Sequence, residues 1–218
     1  GFDNALGSQV QNLETEEEVR KAAEQLRPSI NGGAFQATSA ATGKVLGLVD
    51  ARSNSANIAA LTGKSGIATG DQPDNVGMWF QGFGFNGGQD RRKGVDGYNA
   101  DAYGFAVGAD TLVGEGGSRI GAALSYARSN VNEKGDTTGN RNDIDSYQAT
   151  LYGSRLMDGW YLSGAVALGR HTYDSRRVVL GNSVTGGYDA WQYSARAEAG
   201  APIQLSKVTL TPVVGATY

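Results

Sequence analysis

The sequence predicts an all-β fold: a transmembrane antiparallel up-and-down β-barrel, preceded by an N-terminal α-helix. Three observations support this prediction. From residue 76 onward, apolar and polar residues alternate with a period of two, as in strands that have one face in an apolar medium. The connections between these segments are long and short in turn. A helix of small residues comes before the first segment.

The alternating part of the chain divides into seven segments. With their flanks, these segments reach the roughly 9–11 residues that a tilted strand needs to cross a membrane. They are interpreted as seven consecutive transmembrane strands, at residues 79–85, 103–110, 120–126, 147–152, 162–168, 191–198 and 209–216.

The connections between the segments provide the strongest internal evidence. Long polar connections alternate with short turns. In chain order these are residues 86–99, 114–117, 130–142, 157–159, 173–187 and 205–206. Outer-membrane barrels have this pattern, with long loops outside the cell and short turns in the periplasm. The first strand is therefore expected to rise from the periplasm, where the N-terminal segment would meet the barrel.

Residues 1–70 follow a helical rather than an alternating pattern. Thr15 is expected to cap a first helix, with Glu18 completing a capping box, and Pro28 ends that helix. A second, thin helix is predicted over residues 35–52, and this pore helix is placed at about residues 34–53. Its Ala, Ser, Thr and Gly composition would make it marginal in isolation, so it is expected to need a surrounding wall.

A polar linker is predicted from about Asn54 to Asn75. The chain is thus divided into a helical linker segment, residues 1–70, and a β-barrel domain, residues 71–218. Seven strands leave unpaired edges in lipid, where each unsatisfied backbone group costs several kcal/mol. Further strands of this protein, or strands of a partner, are therefore expected, and the barrel domain is taken to be C-terminally incomplete.

The alternation also assigns side chains to the two faces of the barrel. Inward, pore-lining positions are Asp110, Gln148, Tyr152, His171, Arg196 and Glu198. On the outward face, four aromatic residues near strand ends are expected at the membrane interface, namely Tyr103, Tyr126, Tyr147 and Trp191. Within the pore helix, the candidate residues are Leu48, Asp50 and Arg52. The inward charges of the wall are expected either to hold the helix through Asp50 and Arg52 or to neutralise one another in a wet interior.

Composition excludes several other classes. The net charge is −3, so no strong basic field favours nucleic acid. The chain has one His and no Cys, and no metal or cofactor is expected. No stretch of 18 apolar residues predicts a transmembrane helix. The charge run at residues 90–93 lies in a predicted outer loop, where a solvated loop is favoured over contact with lipopolysaccharide phosphates.

Three segments carry a resemblance to a known family. The run from Gly77 to Gly84 resembles the first strand of classical autotransporter (type V secretion) translocator domains, the run from Tyr103 to Asp110 resembles their second strand, and the run from Leu210 to Tyr218 resembles a later one. The resemblance implies a barrel of twelve strands when complete, with a helix through the pore, in the Gram-negative outer membrane. It also implies outer-membrane lipid and lipopolysaccharide, the barrel assembly machinery and the protein's own passenger segment as partners.

Some members of that family cut their own linker inside the barrel, when an Asn side-chain amide attacks its own backbone carbonyl. Asn54 and Asn57 are the candidates for such cleavage, although the family's Asn-Asn pair is absent. No other reaction is expected of this part of the chain. Two alternatives stay open: a porin- or adhesin-like outer-membrane barrel whose outer loops bind a ligand, and a soluble β-barrel binding protein.

Overall fold

The computed structural model describes residues 11, 13–26, 31–62, 76–114, 117–206 and 208–218. Helix α1 spans Glu16–Leu26. The predicted capping box is present, since the amide of Glu18 donates to Thr15 Oγ1 at 3.2 Å and the amide of Thr15 donates to Glu18 Oε2 at 3.0 Å. These two bonds use amide groups that the first turn of a helix leaves without a partner. Pro28, predicted to end this helix, lies outside the described residues.

Helix α2 spans Gly33–Thr62, 30 residues, and is about 45 Å long at 1.5 Å per residue. The predicted end near residue 53 is therefore wrong, and residues 54–62 of the predicted linker are helical. The helix continues because Asn54 and Asn57 find hydrogen-bond partners on the surrounding sheet. Within the described residues, neither helix is long and apolar enough to cross a membrane.

A seven-stranded antiparallel sheet follows the helices. Its strands are β1 (Val76–Gln89), β2 (Tyr98–Val113), β3 (Ser118–Glu133), β4 (Arg141–Leu156), β5 (Tyr161–Val179), β6 (Asn182–Gly200) and β9 (Val213–Thr217). They pair in that order, each with its neighbour in the sequence apart from the insertion between β6 and β9. The sheet is a seven-stranded half-barrel, with β1 and β9 at its two edges in the described part of the chain.

The outer ends of the strands extend further than the alternation predicted. The connection between β1 and β2 narrows to residues 90–97, and that between β3 and β4 to residues 134–140, which include a 3-10 turn at Gly135–Thr137. The predicted loop at residues 173–187 is wrong. It is the continuation of β5 and β6, which meet in a tight turn at residues 180–181. Polar strand residues beyond the apolar band pair with each other and have no reason to alternate apolar with polar.

The predicted short turn at residues 205–206 is part of a larger insertion. Strand β6 ends at Gly200, and the strands β7 (Ile203–Leu205) and β8 (Val208–Leu210) form a separate small hairpin before β9. The predicted single strand over residues 209–216 is broken at Pro212, which has no N–H to donate to a sheet. Strict alternation of long and short connections therefore fails at the last two connections.

Helix α2 lies on one face of the half-barrel, close to strands β1 to β5, and its side chains also reach β6. Two buried clusters join it to the wall. Toward the N-terminal end of the helix, Ala37 belongs to a cluster with Tyr98, Ala100, Val131, Ile144 and Tyr173. Further along, Leu46 and Val49 pack with Ala123, Tyr152, Ala165 and Ala167. The opposite face of the sheet carries large exposed apolar side chains such as Leu124, Leu151 and Val166.

Candidate functional site

The candidate site is the polar inner face of the sheet where it surrounds helix α2. Asp50 and Arg52 are two positions apart on the helix, so their side chains leave it on roughly opposite sides. One points toward β6 and the other toward β2. The wall thus meets the helix with a separate ionic partner on each side.

Asp110 of β2 is the centre of the first contact. Its side chain is completely buried, and it forms ion pairs with Arg52 Nε of the helix at 3.1 Å and with Arg119 of β3. The hydroxyl of Tyr152 on β4 donates to Asp110 Oδ2 at 3.0 Å and accepts from Trp79 Nε1 of β1 at 2.8 Å. One carboxylate therefore links the helix to four successive strands.

Arg196 of β6 is the centre of the second contact. Its guanidinium forms an ion pair with Asp50 and lies 3.5 Å from Glu198 Oε2. Asn54 Nδ2 donates to Glu198 Oε1 at 2.6 Å. One turn further along the helix, Asn57 Oδ1 accepts from Ser154 Oγ of β4 at 3.0 Å. Two acids and one arginine thus share this side of the helix.

Neutral hydrogen bonds join the N-terminal half of the helix to the wall. Thr38 Oγ1 and the Tyr173 hydroxyl are 2.8 Å apart, and Thr42 Oγ1 donates to Gln192 Oε1 at 3.1 Å. His171 lies nearby, with Nδ1 2.9 Å from Ser146 Oγ. The contacts of Thr38 and Thr42 join uncharged side chains, so the ionic contacts of the helix are concentrated at residues 50–54.

Small residues on the wall make room for the helix and for the inner aromatic rings. A Cβ atom at Gly108 would lie 2.5 Å from the indole of Trp79, its cross-strand partner. A Cβ at Gly77 would lie 2.5 Å from Arg52 Nη2. At Gly108 the close atoms belong to the Trp79 ring, so glycine is required there by space rather than by backbone conformation. At Gly77 the close atom is the end of the flexible Arg52 side chain, which would have to shift.

The outward face carries a row of aromatic side chains across neighbouring strands. Ring centroids are 6.1 Å apart for Phe105 and Tyr126 and 5.3 Å for Tyr126 and Tyr147. The row continues at Arg170, which is the register partner of Tyr147 and lies 6.0 Å from the ring of Trp191. Tyr103 is on the same face and is 59% exposed.

The structure brings together most of the inward residues predicted from sequence. Asp110, Tyr152, Arg196 and Glu198 meet the pore-helix candidates Asp50 and Arg52, while Gln148 and His171 lie buried on the same face. Leu48 is only half-buried, and the leucine that packs against the wall is Leu46.

Several contacts of the helix and of the wall around it were not predicted from the sequence. They involve Trp79, Arg119, Gln192 and the hydrogen bond between Asn57 and Ser154. Arg119 lies an even number of positions from Ala123 and Ala127, which face inward on β3. Extending the alternation of β3 to residue 119 would therefore have predicted that Arg119 faces inward.

The charge run at residues 90–93 is partly neutralised within the outer loops. Arg91 lies 3.5 Å from Asp96 and 3.7 Å from Asp136, and Asp90 accepts from Lys134 at 3.1 Å. Two of the four charges in the run thus have protein partners.

These features define a class: a transmembrane β-barrel wall with an apolar outer face, a polar inner face and a helix bound to that inner face. The autotransporter beta-domain family model matches residues 78–218, more than half of the chain. The chain therefore belongs to the autotransporter β-domain family. It is located in the Gram-negative outer membrane, where it has a translocator role.

Curated relatives agree with this assignment. The chain is 25% identical to outer membrane protein B of Rickettsia rickettsii over 166 residues, which are 70% of this chain and 10% of that protein. It is 26% identical to outer membrane protein B of Rickettsia typhi over 205 residues, 87% of this chain and 12% of that protein. The chain thus spans about a tenth of the length of these relatives.

Solved structures show the same fold. The β domain of the Bordetella autotransporter BrkA superposes with a TM-score of 0.55 at 21% identity, covering 66% of this chain and 58% of that one. The translocator domain of NalP from Neisseria meningitidis superposes with a TM-score of 0.55 at 16% identity, covering 83% of this chain and 58% of that one.

Proposed function

We propose that helix α2 is the pore helix that connects this barrel to an N-terminal passenger, and that residues 50–54 seat it in the lumen. The observation that carries the proposal is the pair of ionic contacts with opposite polarity, Asp50 with Arg196 and Arg52 with Asp110. The partners of Asp50 and Arg52 lie on opposite sides of the helix. Rotating the helix by half a turn would bring each acid toward the other acid and each arginine toward the other arginine. The two ion pairs therefore fix the rotation of the helix about its own axis and its position along the barrel axis.

The direction of the helix supports a role in surface display. Gly33, at its N-terminal end, packs against Tyr98 and Val131, which lie near the ends of β2 and β3 that adjoin the outer loops. Its C-terminal end at Thr62 accepts from Gln204 of β7, at the opposite end of the sheet. Chain that precedes residue 33 therefore emerges on the side of the outer loops, where a passenger would be displayed. In this proposal residues 1–70 form the linker and pore helix, and residues 71–218 belong to the barrel.

The outward aromatic row is proposed to lie at the outer membrane interface. On β2, the exposed face from Tyr103 to Val113 covers ten residue steps, about 34 Å along the strand and about 25 Å in height at a tilt near 40°. That height matches the apolar band of outer-membrane barrels. Lipid and lipopolysaccharide are the proposed partners of this face, and the barrel assembly machinery the proposed partner during insertion.

Proteolysis of intact cells that express the full-length protein tests the topology. A protease site inserted in residues 90–97 should be cut, and the same site in the turn at residues 157–160 should be protected until the membrane is permeabilised. The reverse pattern would overturn the proposed direction of the helix.

Conductance separates a seated pore helix from the alternative of an open porin- or adhesin-like barrel. In the refolded complete translocator domain, currents should be small and should rise when residues 34–53 are deleted. Large currents in the unmodified domain would favour the alternative.

We further infer that Asn54 is the candidate for linker self-cleavage. Its Nδ2 donates to Glu198 Oε1 at 2.6 Å, so that carboxylate is placed to accept a proton as the nitrogen attacks the Asn54 carbonyl carbon. The Asn54–Ser55 peptide bond would break, leaving a succinimide at Asn54 and a free amine on Ser55. The reaction would have to disrupt helix α2 at this point.

Mass spectrometry of the full-length protein, purified from cells, measures this cleavage directly. Cleavage after residue 54 should disappear in Asn54→Ala and Glu198→Gln and persist in the matched control Asn57→Ala. An intact linker in the unmodified protein, or normal cleavage in Asn54→Ala, would remove this activity.

A further inference from the structure

Helix α1 does not lie in the lumen but against the outer ends of β3, β4 and β5. Arg20 Nη1 donates to Asp136 Oδ2 at 2.7 Å, in the connection between β3 and β4. At the other end of the helix, the Gln25 carbonyl accepts from Arg177 at 3.0 Å, and Gln25 Oε1 accepts from the amide of Leu180 at 2.9 Å. We propose that α1, Asp136 and the tip of the β5–β6 hairpin form an extracellular clasp, which ties the chain leaving the barrel to its outer rim independently of the lumen contacts of α2.

The loop that receives Arg20 is held by contacts within the outer connections themselves, in addition to its contact with α1. Asp96 Oδ2 accepts from the amides of Asp136 and Thr137 at 2.8 and 3.2 Å, which holds the 3-10 turn in place. Arg91 lies between the two acids, within 3.5 Å of Asp96 and 3.7 Å of Asp136. Asp136 is thus presented as a fixed acceptor rather than as a free loop side chain.

The C-terminal end of α1 depends on the barrel for its charge balance. Its first turn carries Glu16, Glu17 and Glu18, which suit the positive end of the helix dipole, but its last turn has no basic residue. Arg177 of β5 supplies that cation by donating to the Gln25 carbonyl. The clasp therefore completes the helix end with a group from another element of the structure.

At the tip of the β5–β6 hairpin, the backbone amide of Leu180 donates to Gln25 rather than to a group in its own turn. Leu180 has a φ of 48° and Gly181 a φ of 78°, the left-handed conformations of a two-residue turn in which Asn is common at the first position and a leucine is strained. Gln25 takes up the exposed amide of Leu180. Ala22, on the same helix, is 4% exposed, so the helix also buries an apolar contact.

The clasp gives the chain two separate points of attachment. The lumen contacts of α2 act at residues 50–54, and the clasp acts at residues 20–25, on the far side of Gly33. A force that pulls on the passenger would therefore act on the clasp contacts before it acts on the ion pairs in the lumen. This inference rests on the topology in the proposed function, because it places α1 outside the cell.

These 218 residues contain no Cys, so two engineered thiols are specific probes once any Cys elsewhere in the full-length protein has been replaced by Ser. In the full-length protein in outer membranes, Ala23→Cys and Thr185→Cys, both exposed, are spin-labelled and their distance distribution is measured. One narrow, short population is expected. Arg20→Glu should reduce the ratio of docked to undocked helix by about tenfold, since it replaces an attraction with a repulsion. Adding Asp136→Arg should restore part of the docked population.

Gln25 provides a matched pair of variants at the other end of the helix. Gln25→Ala should broaden the distances, whereas Gln25→Glu keeps an oxygen acceptor for Leu180 and should leave them narrow. A broad distribution in the unmodified protein, or equal distributions in Arg20→Glu and the unmodified protein, would overturn the clasp. Failure of the topology has a different signature: a membrane-impermeant maleimide would then not label Ala23→Cys on intact cells.

Discussion

The ion pairs around Asp110 predict how the pore helix responds when its charges are removed one at a time. Arg52→Gln removes the guanidinium that α2 contributes, while Asp110 keeps Arg119 and Tyr152 as partners. Asp110→Asn removes the acid instead and leaves two guanidinium groups facing each other. The double variant lacks both groups. These four proteins form a double-mutant cycle that isolates the contact between helix and wall.

The magnitudes follow from burial. A hydrogen bond to a charged group contributes about 1.5–3 kcal/mol, and the Arg52 side chain is 24% exposed, so the lower part of that range applies. Arg52→Gln should therefore shift the equilibrium between seated and released helix by roughly 10- to 30-fold, at about 1.4 kcal/mol per factor of ten. Because the Asp110 side chain is completely buried, Asp110→Asn should cost about 3 kcal/mol or more.

The sign of the coupling is the sharper expectation. In the Asp110→Asn background, adding Arg52→Gln relieves the repulsion between Arg52 and Arg119 and should be neutral or favourable. The coupling energy should thus be at least about 1.5 kcal/mol.

Single-channel conductance of the refolded complete translocator domain measures the fraction of time that the helix is released, for each of the four proteins. Arg52→Gln combined with the distant Asp136→Asn serves as an additive control pair. A coupling energy below about 0.5 kcal/mol, within the range of additive sites, would refute the assignment of Asp110 as a helix anchor.

Three further outcomes are expected. Gly108→Val should destabilise the barrel by about 1–3 kcal/mol in urea unfolding, because its side chain would overlap the Trp79 ring. In single-tryptophan variants, brominated lipid should quench Trp191, which is 58% exposed on the outward face, and should spare Trp79. The hydrogen bond from Arg20 holds the pKa of Asp136 below its ordinary value of 3.8. The contribution of Asp136 to docking of α1 should therefore be complete above about pH 4 and be lost at lower pH, as the spin-label distances will report.

Each of these outcomes has a control. Gly186→Ala should leave urea unfolding unchanged, since nothing lies within 4 Å of a Cβ at that position. Equal quenching of the two tryptophans would contradict the assignment of the faces. In an Asp136→Asn variant, the acid transition should become smaller. Its persistence at full size would assign the transition to Glu17 or Glu18, whose pKa values are also lowered, by hydrogen bonds from Arg20 and from the Glu14 backbone amide respectively.

The sequence by itself determined the sheet and the faces of its strands. Alternation with a period of two is a local property, because lipid lies on one side of each strand and polar groups on the other, and it placed Asp110, Tyr152 and Arg196 on the inner face. The capping box of α1 was also readable, since Thr15 and Glu18 interact within a single turn.

Only the tertiary structure decided the length of α2, its partners and the position of α1. Ala59, Ala60 and Leu61 favour a helix by propensity, whereas Asn54 and Asn57 do not. Both asparagines are held by strand residues about a hundred or more positions away. Likewise, Arg20 and Gln25 bind groups in outer connections that sequence patterns assigned to loops. The lipid-facing positions can be predicted from each strand's own sequence, because lipid contacts each strand separately. Pairing inside the barrel depends on the register of several strands at once, and that register exists only in the folded sheet.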